Sequence, residues 1–209
     1  MPHDTNERPK LTPKGERTRS RILDEAARLM HERGVAGTRL DDVRAAARVS
    51  GSQLSHYFAD KDELVQAVID HQADTIVSNQ RRADIGSADG LRAWRDLVIS
   101  QAQSTGAKGG CPLGSLGGQL AETDAHARTL IAAGFDRWEA ALSDGLRNLE
   151  ESGRISTQID SDALALTLLA TLQGGLLLAQ LHRDPRPIAT AVDTFLQLAI
   201  ENPHTQPCR

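Results

Sequence analysis

Residues 38–61 read TRLDDVRAAARVSGSQLSHYFADK, and this stretch decides the fold class. Thr38 and Asp41 suggest a capping box opening a short helix, with Leu40, Val43 and Ala47 on its inner face. Ser50 is placed to cap a second helix, SGSQLSHYF, that begins with small and polar side chains. Such residues let a helix N-terminus come close to bases and phosphates. Asp60 is placed to cap a third helix from Lys61-Asp62-Glu63-Leu64. Two short capped helices with a tight turn between them, flanked by longer helices, have the form of a helix-turn-helix.

At these positions the chain resembles the TetR family of one-component transcriptional regulators. The matching residues are Gly34, Gly37-Thr38, Asp42-Val43, Val49-Ser50, Leu54, His56-Tyr57-Phe58, Lys61 and Leu64. Three positions depart from the family pattern. Arg44 and Arg48 stand where a small residue and a glycine are usual, and Ser55 stands where an aromatic is common. Arg48 falls where the turn calls for positive φ, which costs a side chain about 1 kcal/mol relative to glycine. A second segment, Gly109-Gly110-Cys111-Pro112-Leu113-Gly114-Ser115-Leu116, resembles the helix start beside the ligand cavity in the LmrA/YxaF-like branch of that family.

The 209 residues suffice for one large domain or two small ones, and 39% apolar with 25% charged content is that of a soluble globular protein. No unbroken run of about 18 apolar residues is present, and residues 1–20 are too polar for a signal peptide, so a cytoplasmic location without membrane contact is expected. Cys111 and Cys208 lie far apart, which favours reduced thiols over a disulfide. The net charge of −4 speaks against generic nucleic-acid binding, but the charge is unevenly placed. Arg8, Lys10, Lys14, Arg17, Arg19 and Arg21 have only Glu16 among them as an acid. A basic front on an acidic body suits docking to DNA by one end.

No repeat and no strand-period segment appears, so the reading is an all-α protein of about nine helices. Residues 1–12 read as a disordered tail, 13–60 as the helix-turn-helix domain, 61–202 as a regulatory ligand-binding and dimerisation domain, and 203–209 as a second tail. Thr123 is expected to cap a long helix to about Glu151, and Asp160 another reading LALTLLATLQGGLLLAQL. This helix is apolar on nearly every side and needs cover on all faces. The last helix is expected over Ile188–Ile200. By the family resemblance these two helices would pair with their copies in a homodimer, through Leu169, Gly174, Leu177, Ile188, Val192 and Phe195.

For base contact the candidates are Gln53, then Ser52 and Ser55, with Arg44 further out; a glutamine can bond an adenine edge bidentately. For phosphates the resemblance implies Thr38, Ser50, Tyr57 and Lys61, while His56 fits either a phosphate contact or a structural role. Leu54 and Phe58 read as core. An effector cavity would be lined by Trp94, Val98, Gln101, Cys111, Leu116, Leu120, Ile131, Phe135 and Trp138, with Gln173 or Thr171 supplying polarity. Only 3% of residues are aromatic, so the wall would be mostly aliphatic and the effector mainly apolar. The histidines lack metal-ligand spacing, and no cofactor or metal is expected.

The combined expectation is a DNA-binding regulator, a repressor released from a palindromic operator by a small molecule, and not an enzyme. Two rivals remain open: an enzyme using Cys111 as nucleophile, and a regulator controlled by thiol oxidation or a protein partner.

Overall fold

The computed structural model describes residues 11–155 and 160–199, which form nine α-helices and no strand. Nearly all of the two expected tails, and Cys208, lie outside the described residues. Two compact units divide at Val68/Ile69, inside the helix that begins at Lys61.

The first unit holds α1 (Pro13–Arg33), α2 (Leu40–Ala46), α3 (Gly51–Tyr57) and the first turns of α4 (Lys61–Arg82). Thr12 caps α1 by accepting the Gly15 N–H at 3.2 Å, and Pro13 occupies the first turn, where its missing N–H is harmless. Ile22, Leu23, Ala26, Leu29 and Met30 form the buried stripe of α1, and Gly34 ends it at φ 78°. The core of the unit adds Val43, Ala47, Val49, Leu54, Phe58 and Leu64, so Leu54 and Phe58 are core as read.

One cap of this unit differs from expectation. The residue before α2 is Arg39, whose N–H donates to the Asp42 carboxylate at 3.1 Å. Thr38 is 1% exposed and its hydroxyl donates to the Gly34 carbonyl at 2.8 Å. With its side chain bound to the end of α1, Thr38 cannot start α2, and the capping pair shifts forward by one residue.

The second unit contains the rest of α4, then α5 (Ala88–Ser104), α6 (Pro112–Leu120), α7 (Ala125–Glu151), α8 (Ser161–His182) and α9 (Arg186–Ala199). Asp124, not Thr123, caps α7, accepting the His126 and Ala127 N–H groups at 3.0 and 2.9 Å. Asp160 caps α8 as read, and α9 begins two residues earlier than expected because Pro187 fits its first turn.

α8 packs chiefly on α9 and α7. By length and composition it would suit a bilayer, with mean hydropathy 1.7, but Leu164, Leu168, Leu169 and Leu172 are buried inside the protein. Gly175 is the close-crossing point: a Cβ there would lie 3.1 Å from the Ile188 Cα of α9. Gly174, in contrast, has nothing within 4 Å and faces outward. Arg95 on α5 ties α9 down through two bonds of 2.7 Å to the Asp193 carboxylate. At the other end of the unit, a Cβ on Gly134 of α7 would sit 3.0 Å from Ala73 and 3.2 Å from Leu113, so α4, α6 and α7 meet closely there.

Candidate functional site

In the first unit, α3 turns a polar face outward. Ser50 accepts the Gln53 backbone N–H at 3.1 Å, and the Ser50 N–H donates to Gln53 Oε1 at 2.9 Å, a reciprocal capping box. The Ser50 hydroxyl also lies 3.0 Å from that of Ser52. Ser50, Ser52, Gln53, Ser55 and His56 are exposed, and Tyr57 and Lys61 are half-buried. Gln53 is therefore presented as expected, but its Oε1 is occupied. Its Nε2 remains to donate, so a bidentate adenine bond would first require opening the cap.

Arg44 is half-buried and its Nε bonds Asp41 at 3.1 Å. Arg48, exposed, adopts the left-handed φ of 52° that its position demanded. Part of the basic front has structural duties as well. Arg21 Nε donates to the Ala47 carbonyl at 2.9 Å, closing the end of α2, and Arg19 lies over the Phe58 ring at 5.5 Å. Thr38, buried and internally bonded, has no side-chain atom to offer a phosphate.

In the second unit the proposed ligand residues are only partly assembled. Cys111 caps α6, its sulfur accepting the Gly114 N–H at 3.4 Å. Burial pushes the thiol pKa up, partly offset by the Gly114 N–H, the Gln173 amide and the Leu113 N–H. The Gln173 amide faces the thiol without completing a well-formed hydrogen bond, since its buried Nε2 has no partner. Phe135 and Trp138 stack at 6.2 Å and 11°. Leu116 and Ile131 are buried and Leu120 half-buried where α6 packs on α7. On α5, Trp94 is buried and Val98 half-buried, whereas Gln101 is exposed and lines no interior.

Gln80, on α4, did not stand out in the sequence. It is 4% exposed, and its Oε1 accepts the Trp138 indole N–H at 3.2 Å. It continues the stripe Ala73–Val77–Gln80 at helical spacing, the one signal that could have placed it inside.

An open groove of about 870 Å³ runs between the outer sides of α8 and α9, and of the ligand candidates only Thr171, the alternative to Gln173, lines it. Its walls include Thr167, Thr171, Leu178, Thr194, Phe195 and Leu198. Leu166, Leu177, Leu178, Leu181 and Leu198 are 47–70% exposed on the same two helices. Four of the expected interface residues, Leu169, Ile188, Val192 and Phe195, are instead buried within the chain. The physical reason is that α8 and α9 bury one face against each other and α7, leaving Gly174, Leu177 and their neighbours on the other.

A capped helix-turn-helix unit joined to an all-helical unit with an uncovered apolar face is the build of a one-component DNA-binding regulator. Comparison with known proteins agrees. The profile described as "Tetracyclin repressor-like, C-terminal domain" matches residues 87–195, and that of "Bacterial regulatory proteins, tetR family" matches residues 22–68. The chain belongs to the TetR family of transcriptional regulators. It is 25% identical to the transcriptional regulator AcuR of Cereibacter sphaeroides, over 90% of this chain and 88% of that protein. It is 24% identical to the HTH-type transcriptional repressor DhaR of a Mycobacterium species, over 88% of this chain and 90% of that protein. In fold it matches a crystal structure of a regulatory protein TetR from Rhodobacter sphaeroides, with TM-score 0.79, 22% identity, and coverage of 88% of this chain and 99% of the other.

Proposed function

We propose that the protein is a homodimeric repressor, released from a palindromic operator by a small, mainly apolar effector. The observation that carries this reading is the outward polar face of α3, where Ser52, Gln53, Ser55 and His56 stand exposed behind a closed N-terminal cap. Gln53 Nε2 donates to a single base acceptor such as a purine N7 or thymine O4. Tyr57, Lys61 and Arg48 hold the flanking phosphates, which position the helix without reading sequence.

Two such helices must lie about 34–36 Å apart to meet successive turns of one groove, which calls for a dimer. The exposed leucines of α8 and α9 supply its apolar face, with Gly174 allowing close approach. An effector that prefers a conformer with a different head spacing shifts the population away from DNA by no more than its differential affinity. A catalytic or redox role for Cys111 is disfavoured, because its thiol is buried and held protonated.

A mobility-shift titration against fragments from a genomic selection tests the reading. Binding should weaken steeply as salt rises and show two half-sites. Failure to enrich any sequence would reject it.

A further inference from the structure

We infer that Gln80 is the hydrogen-bond donor that recognises the effector, and that this effector carries a neutral carbonyl on a flat apolar body. The inference rests on the effector reading above and adds the chemistry of the molecule and the residue that selects it.

Gln80 is buried on α4, and its orientation is fixed by chemistry. The indole N–H of Trp138 is a donor only, so the atom that faces it at 3.2 Å must be the amide oxygen. Turning the amide over would set N–H against N–H. The –NH₂ group is thereby directed away from the indole, and there its nitrogen is buried without a partner. A buried amide donor left bare is unfavourable, and such groups in folded proteins call for an explanation by a missing partner.

The surroundings say what that partner is. Beside the amide, Trp138 and Phe135 stack nearly parallel, forming a flat aromatic wall. Phe135 is half-buried, so this wall is not sealed. The group that enters must accept a hydrogen bond. It must also be neutral: among the described residues the buried polar side chains are Thr38, Gln80, Ser143 and Ser161, none of them cationic. Arg137, one residue from Trp138, is exposed and bonded to Asp74 at 2.6 Å. A carboxylate placed at Gln80 would be buried without a countercharge.

The test uses three probes of one shape, acetophenone, ethylbenzene and benzoate, titrated calorimetrically into the full-length protein with and without operator. The wild type should bind acetophenone at least tenfold more tightly than ethylbenzene, and benzoate more weakly than acetophenone. Gln80→Met should bring acetophenone and ethylbenzene to within about twofold. Trp138→Phe keeps the aromatic wall but frees the amide to turn, and should narrow the same gap, so the assignment does not depend on one variant folding. Equal affinity for ketone and hydrocarbon in the wild type, tightest binding of benzoate, no binding of any probe, or a preference that persists in both variants would overturn it. The effector reading has its own outcome. Operator release by ethylbenzene as readily as by acetophenone would keep that reading and remove Gln80 from it. Gln80-dependent acetophenone binding without operator release would support the site and count against the reading.

Discussion

Ser50 and Gln53 bond each other twice, the Gln53 backbone N–H to the Ser50 hydroxyl at 3.1 Å and the Ser50 N–H to Gln53 Oε1 at 2.9 Å. The side chain proposed to read a base is therefore also the one that locks the start of α3. This dual role makes stability and DNA binding separable at one position. Gln53→Glu keeps the acceptor and adds a negative charge at a helix N-terminus, a favourable place for it by about 0.3–1 kcal/mol. The melting temperature should hold or rise while operator binding collapses, because the charge faces phosphates and both amide donors are gone. Gln53→Ala should lower stability by about 0.5–1 kcal/mol and relax one base position at about 1–3 kcal/mol. Melting curves and operator selections on the two variants check this; a parallel fall in both properties for Gln53→Glu would deny the dual role.

Arg48 holds φ 52° in the turn between α2 and α3, a conformation glycine adopts freely. Arg48→Gly should therefore stabilise the protein by up to about 1 kcal/mol, provided glycine's extra freedom in the unfolded chain does not offset the relief. The same change removes one exposed cation, and the slope of log affinity against log salt should become shallower by about 1. Denaturant melts and salt titrations measure the two effects independently. A more stable variant with an unchanged salt slope would remove Arg48 from the phosphate contacts.

The legibility of this chain follows the range of the interactions involved. Caps that depend on neighbours were readable: Ser50, Asp60 and Asp160 all act where their spacing put them. Two slipped by a residue, Thr38 to Arg39 and Thr123 to Asp124; at the second, either neighbouring side chain has an oxygen able to cap. At Thr38, burial against Gly34 decided the matter. In α8, leucines occur on every side, so periodicity could not tell the inward Leu169 from the outward Leu177. Gln80 escaped because its burial depends on Trp138, 58 residues away.

Leu181 and Leu198 are 68% and 70% exposed in the single chain. A glutamate at either place should leave the chain folded but put a charge into the proposed interface, at several kcal/mol of dimer stability. Leu181→Glu and Leu198→Glu should sediment as folded monomers and lose cooperative operator binding. Val192→Glu, at a residue fully buried within the chain, should instead unfold it. A stable dimer in both leucine variants would place the interface on another face.

Cys111 offers a pH signature. Burial raises its thiol pKa above the ordinary value of about 8.5, which the unfolded chain retains. Between those two values the unfolded state has lost the proton and the folded state still holds it. The contribution of this group is thus fully present below about pH 8.5 and declines as pH rises toward the folded pKa, by at most about 1.4 kcal/mol per pH unit. Cys111→Ala should flatten this alkaline decline, while lowering stability modestly at neutral pH through the small void left against Gly114 and Gln173. The native protein carrying Cys208→Ser should react with a disulfide reagent at pH 7 far more slowly than the unfolded chain, since the reactive thiolate is both scarce and covered. Equal reaction rates in the two states, with no alkaline decline for Cys111→Ala to remove, would return the thiol to consideration as the control point of this regulator.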